Sequence, residues 1–437
     1  MLLTAAILSS LSLTSSFVPQ LDSFKRIQAP KAKIAVIDTG VDFTNNPNLI
    51  ADTENVCEVS SETGLYQCHP SQGLDLLFST HDLTEHTLQD NELLEYIQSQ
   101  SLLNQGLLDA TEFATKYPPE HVDNLLNAWL SNSHGTIVAN IIASENPEAH
   151  FLNLRIIPDQ SAHEPRIQPD LSITEEERNA KVLTMPNVEQ EQELNQLLLA
   201  HAVAHVRTYI NAALYMKQHG VEVANISAGF SIENFVERII FDSGYETEAG
   251  LVGKCSEFFV NVIEQGMQEV AAIAPEILFV IAAGNDGLST KHIYPANIEA
   301  DNFLVVGAVD KEDKLASYSN WGPKVQIAAR GNAHEVGRLG LKIDQALDGT
   351  SFAAPRVSRV AAKMKDINPR LQAADIKHII VSLAQKIPDL DGKVSSGGVL
   401  NEDICLTAAG FSKVYSIKHA IQEAQKVDAN EPPHCSI

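Results

Sequence analysis

The chain has 437 residues, 44% of them hydrophobic, enough to bury a core in one large α/β domain or two to three smaller ones. Its formal charge of −25 argues against nucleic acid or an anionic membrane as the main partner, because phosphate binding needs clustered Lys and Arg. A solvated acidic surface is the simplest reading of that charge.

Residues 2–18 (LLTAAILSSLSLTSSFV) are apolar and uncharged, and Lys25 is the first basic residue. The stretch reads as a signal-peptide core with small residues near 14–16 for cleavage, so a secreted or periplasmic protein is expected. If the segment is not a signal, the protein is intracellular. No other stretch is long and apolar enough to span a bilayer, so no integral span is expected after signal removal. Of the five cysteines, Cys57 and Cys68 flank a short loop containing Gly64, and a local disulfide is expected there in an exported chain. Cys255, Cys405 and Cys435 complete the set, and nothing in it has zinc-ligand spacing.

Short apolar runs follow in chain order: Lys33–Asp38 (KIAVID), 151–157 (FLNLRII), 221–227 (VEVANIS), 277–284 (ILFVIAAG), Phe303–Val309 (FLVVGAV) and 325–329 (VQIAA). They are apolar throughout rather than alternating, as strands covered on both faces are. Helices are predicted between them at about 134–144, 198–219, 257–272, 352–366 and 372–386. The alternation predicts an α/β fold: a doubly wound, mostly parallel sheet with helices on both faces. Residues 51–131 and 158–197 break the pattern and read as two insertions; the second carries Pro158, Pro165, Pro169 and Pro186. Residues 411–437 read as one helix and a polar tail.

Four motifs carry chemistry. Asp38 ends the first strand in Asp38-Thr39-Gly40, and functional groups in parallel sheets gather at carboxyl ends of strands. His134 opens an apolar helix in Ser133-His134-Gly135-Thr136, where small neighbours let another segment come close. Asn285 ends a strand in Ala282-Ala283-Gly284-Asn285, its amide able to donate into a cleft. Ser351 stands in Gly349-Thr350-Ser351-Phe352-Ala353-Ala354-Pro355 at the start of an apolar helix, beside unpaired N–H groups and the positive end of the dipole. Taken singly, each has a plain structural alternative: a turn Asp, a surface His, a turn Asn, a Ser N-cap.

Together and in this order, these motifs resemble those of the subtilases, the subtilisin-like serine proteases. Asn225-Ile226-Ser227-Ala228-Gly229, Tyr294-Pro295-Ala296 and Gly397-Gly398-Val399-Leu400-Asn401 add weaker likenesses, so the resemblance spans about residues 33–410. It implies a subtilisin-like fold and a serine endopeptidase acting on protein or peptide substrates. By the resemblance, Ser351 is the nucleophile, His134 the general base, Asp38 its orienting partner and Asn285 the oxyanion donor. Ser227, Ala228 and Gly229 would pair with the substrate backbone, and Ala282, Ala283, Gly284 and Ile293 would border the side-chain pocket. The bulk of Ile293 would favour small or medium apolar substrate side chains. The chemistry needs no cofactor. Many subtilases bind calcium, but no Asp/Asn loop with glycine stands out here. Because the first strand begins near Lys33, a propeptide of the usual kind is not expected. Two rivals remain open at this stage. One is a catalytically silent scaffold used for binding. The other is an aspartic protease using Asp38 and Asp242, the latter in a second D-[ST]-G at Asp242-Ser243-Gly244.

Overall fold

The computed structural model describes residues 31–428 apart from 53, 60–65, 72, 76–87, 158–172, 175–176, 179–180, 182 and 343–345; for 54–90 only secondary structure is described. The expected signal segment, Cys435 and most of residues 158–187 therefore lie outside the description.

The sheet follows from which apolar runs can be covered twice. Its strands are β1 (Lys33–Asp38), β2 (Ile50–Ala51), β5 (Gly73–Asp75), β6 (His150–Arg155), β7 (Val221–Ile226), β9 (Leu278–Ala282), β11 (Phe303–Val309), β12 (Val325–Arg330), β15 (Gln385–Lys386) and β16 (Gly398–Val399). The order is β15-β16-β12-β11-β9-β7-β1-β6-β2, with β5 also on β6. All neighbours run parallel except β15 and β16. Small antiparallel pairs lie outside it: β3 (Glu54–Val59) with β4 (Tyr66–Ser71), β8 (Phe230–Ser231) with β10 (Ile293–Tyr294), and β13 (Asn332–Ala333) with β14 (Leu347–Asp348). The β3–β4 register sets Cys57 opposite Cys68 in the backbone.

The helices are α1 (Leu88–Asn104), α2 (Ala110–Lys116), α3 (Pro119–Asn132), α4 (His134–Ala143), α5 (Val188–Gln218), α6 (Ile232–Asp242), α7 (Ala249–Ile273), α8 (Thr350–Ile367), α9 (Ala373–Ser382), α10 (Glu402–Phe411) and α11 (Ile417–Asp428). Strand alternation sorts them onto two faces. Ala35, Ile37, Phe279, Ile281, Phe303 and Val305 pack under α5, α6 and α7. Ile34, Val36, Leu278, Val280, Leu304 and Val306 pack under α4, α8, α9, α10 and α11. Asp38 continues the parity of Ile34 and Val36. It therefore ends β1 on the face that holds α4 and α8, the helices that begin with His134 and with Thr350-Ser351.

The six predicted strands all form, two of them to the residue. The helix expected at 198–219 starts ten residues earlier. Asn187 caps it by accepting from the Gln190 N–H, and the Gln190 side chain accepts from the Asn187 N–H. Leu194 and Leu198 already belong to its buried stripe, so residues 188–197 form the first turns of this helix. Within 51–131, α1 and α3 pack on the core: Leu93 and Trp129 join Ile137 and Ile141 of α4, Phe352 of α8 and Ala333.

Beneath α8, Arg359 is buried and paired to Glu402 of α10 at 2.7 Å, and Lys363 reaches the other Glu402 oxygen at 2.5 Å. Burial pushes the Glu402 carboxyl up, but the two cations and their hydrogen bonds outweigh it, so its pKa is lowered from 4.5. Glu402→Gln should cost about 3 kcal/mol, the low end for breaking a buried pair, because Glu402 keeps part of its surface in water. A lowered folded pKa gives stability that is present above 4.5 and lost as pH falls through the folded value. Urea unfolding should thus show the Glu402→Gln penalty at neutral pH and a smaller one in acid; a penalty independent of pH contradicts this ion-pair account.

Candidate active site

Asp38 is fully buried and meets His134 across 96 positions of chain: the His134 ring Nδ1 lies 2.7 Å from Asp38 Oδ1. Two glycine-permitted approaches make this possible. A Cβ on Gly135 would sit 2.4 Å from the Gly40 carbonyl oxygen, so only glycine lets α4 come this close to the end of β1. Gly40 itself turns the chain away at φ +112°. Thr39 fastens the junction. Its N–H donates to Asp38 Oδ1 at 2.7 Å, while its hydroxyl donates to the Asn132 carbonyl and accepts from the Gly135 N–H at 3.1 Å.

The imidazole is a quarter exposed. Burial pulls its pKa down, and the charge and hydrogen bond of Asp38 pull it up further, leaving it raised above 6.5. The ring of Phe352, the residue after Ser351, lies 5.6 Å away between centroids.

Ser351 is the second residue of α8 rather than its N-cap, a place taken by Gly349. Gly349 is extended there (φ 172°, ψ 151°). The Ser351 hydroxyl donates to the Ser227 carbonyl at 3.2 Å, and in this rotamer that carbonyl, not the imidazole, is its acceptor. Asn285 is oriented by Thr350, a residue the sequence reading passed over although it sits inside the motif. The Thr350 N–H and hydroxyl both donate to Asn285 Oδ1, at 2.8 and 2.9 Å, and the hydroxyl accepts from the Gly284 N–H at 3.0 Å. The amide oxygen is thereby spoken for, and its NH2 group is the donor offered to the cleft.

One cleft of about 660 Å³ is lined by His134, Ser351, Thr350 and Asn285, with Ser227, Ala228, Gly229, Ala282, Gly284 and Ile293. Every sequence-predicted site residue is accounted for there except Asp38, buried behind His134, and Ala283. The Ala283 side chain shares the parity of Phe279 and Ile281, packs in the core layer under α5–α7 and is not among the residues lining this cleft. Sequence reasoning missed Ser131, Ser231, Asn234 and Asp286, which also line the cleft. Ser231 and Asn234 open α6, and no motif marks them. Asp242 lies elsewhere: it ends α6, is mostly exposed and pairs with Lys181 at 3.3 Å. A shared-proton pair with buried Asp38 has no geometric support. Among the described residues, no group of three or more His, Cys, Asp or Glu could hold a metal ion, and no helix is long and apolar enough to cross a membrane.

The arrangement unites a buried carboxylate, an imidazole, a hydroxyl at a helix N-terminus and an aimed amide on a mostly parallel α/β sheet. The chain belongs to the subtilase family, whose model matches residues 30–403. It is 33% identical over 164 residues to the subtilase-type proteinase RRT12 of Saccharomyces cerevisiae, covering 36% of this chain and 32% of the relative. It is 28% identical over 164 residues to an extracellular protease of Xanthomonas campestris pv. campestris, covering 36% and 27%. The matched segment thus spans under a third of these relatives. Among solved structures, the chain is similar to a cold-adapted subtilisin-like serine proteinase, at 16% identity and TM-score 0.43, over 85% of this chain and 86% of that one.

The imidazole's charge balance is testable. NMR titration should give His134 a midpoint above 6.5, because the carboxylate outweighs burial. In Asp38→Asn the burial effect is left alone and the midpoint should fall below the ordinary histidine value. An unchanged midpoint in the variant means Asp38 does not hold the proton.

Proposed function

We propose that this chain is a serine endopeptidase that cleaves peptide bonds through an acyl-enzyme. The observation that supports it best is the gathering of His134, Ser351 and Asn285 on one cleft, with Asp38 bonded to the imidazole from behind. Asp38 keeps the proton on His134 Nδ1, which leaves Nε2 as a base. A turn about the Ser351 side chain brings its hydroxyl from the Ser227 carbonyl to that nitrogen; such hydrogen bonds are often unformed in the ligand-free state. Ser351 Oγ attacks the carbonyl carbon as its proton passes to Nε2. The Asn285 amide and the Ser351 N–H take the charge on the carbonyl oxygen. The imidazolium then protonates the leaving amine. Water, deprotonated by the same nitrogen, releases the acid and restores the hydroxyl. Residues 227–229 bind the substrate backbone as an added strand.

Ile293 is buried against Gly284 and closes part of the pocket. A Cβ on Gly284 would already lie 3.0 Å from the Ile293 methyl, so that wall has no slack. Small and medium apolar side chains fit this pocket better than aromatic ones. The sequence of residues 2–18 and the extracellular relative support export from the cell.

A fluorophosphonate probe should label the wild-type chain at Ser351 and leave Ser351→Ala unlabelled; an unlabelled wild type sinks the proposal. Asn285→Ala should lower kcat roughly 10²–10³-fold, the size found for such a donor in this family, with KM nearly unchanged. Peptides ending in Ala or Leu should be cleaved with higher kcat/KM than those ending in Phe, and Ile293→Gly should narrow that gap. A Phe preference in the wild type would refute the pocket assignment.

A further inference from the structure

Pro355 lies within α8, and it lacks the N–H that would bond the carbonyl four residues back, which is that of Ser351. The freed carbonyl is not left bare. The Ser227 hydroxyl donates to it at 2.8 Å. That hydroxyl in turn accepts from the Asn225 amide at 2.9 Å. The Asn225 amide oxygen accepts from the Ser358 hydroxyl at 2.9 Å, with the Ala354 carbonyl at 3.3 Å as that hydroxyl's second acceptor. Ser358 sits seven residues after Ser351 on the same helix, so the circuit leaves α8 at Ser351, crosses to β7 and returns to α8. Asn225 and Ser358 are wholly buried and Ser227 nearly so.

We propose that Asn225, Ser227 and Ser358 are positioning residues that lock the first turn of α8 to the segment 227–229. The inference rests on Ser351 being the nucleophile and 227–229 the substrate-binding strand. The physical basis is geometric. Two of the circuit's groups are attached to α8, one to the end of β7 and one to the segment that continues it. None of these four groups bonds to the Ser351 hydroxyl, whose acceptor is the Ser227 carbonyl. Fixing the Ser351 carbonyl fixes the backbone from which both the nucleophilic oxygen and the oxyanion N–H project. A buried hydrogen-bond chain holds such a register tightly, because any slip leaves a buried polar group unpaired. Pro355 gives the arrangement its direction: with no helix N–H competing for it, the Ser351 carbonyl is free to accept from the Ser227 hydroxyl.

The test uses the full-length chain with Ser358→Ala, Ser358→Thr, Ser227→Ala and the double variant Ser227→Ala/Ser358→Ala. Fluorophosphonate labelling rate, kcat, KM and melting temperature are measured for each. Ser358→Ala should lower kcat and the labelling rate roughly tenfold, the effect of one buried hydrogen bond, with KM within about twofold. Ser358→Thr keeps the hydroxyl and should restore most of the rate. The double variant should lose no more than the worse single one, because members of one circuit do not add. Folded Ser358→Ala with wild-type kcat and labelling overturns the proposal, as does additive loss in the double variant or a change confined to KM. If the wild-type chain takes no label, the nucleophile assignment itself fails and this inference falls with it; loss confined to the variants concerns the circuit alone.

Discussion

Everything at the cleft depends on a carboxylate being held under an imidazole in a place from which water is largely excluded. Burial alone would favour the neutral ring and would penalise the neighbouring charge. The 2.7 Å contact between Asp38 and His134 reverses that preference. The contact is bought with backbone rather than side chains: Gly135 and Gly40 permit an approach that any Cβ at Gly135 would forbid. Strand parity supplies the rest. Because β1 is covered on both faces, its last residue must face one helix layer or the other, and it faces the layer that holds α4 and α8.

That layer is braced by α1 and α3. Trp129 of α3 donates to the Arg338 carbonyl at 3.1 Å and packs with Leu93 against Ile137, Ile141 and Phe352. The same small cluster therefore touches the helix that begins with His134 and the residue that follows Ser351. Leu339, in a left-handed conformation at φ +62°, donates its N–H to Asp42 at 2.8 Å and closes this corner. Leu93 and Trp129 thus help support the cleft, and Ser131 of α3 forms part of its lining.

Much of this was legible in the chain because the informative signals are local. β1 is an apolar run ending in Lys33 and Asp38, and β11 is one flanked by Asn302 and Asp310, so their limits were readable to the residue. The four motifs each carry their chemistry within a few positions. What could not be read depends on distant contacts or on phase. The start of α5 was hidden because its exposed Glu and Gln outnumber the buried Leu194 and Leu198 in the first turns. Ala283 belongs to the right motif, but alternation turns its side chain into the core. Thr350 was visible, yet its hold on Asn285 spans 65 positions, and the link from Ser358 to Asn225 spans 133.

The junction of α3 and α4 has a bearing on how this lineage can vary. The two helices are separated by Ser133 alone, whose N–H bonds back to the Trp129 carbonyl and whose hydroxyl accepts from the Arg338 N–H. With no slack linker at that point, one residue gained or lost in the final turn of α3 would swing the following segment by roughly 100° of helical phase. A change of length would therefore disturb the start of α4 least if it fell well upstream of Trp129.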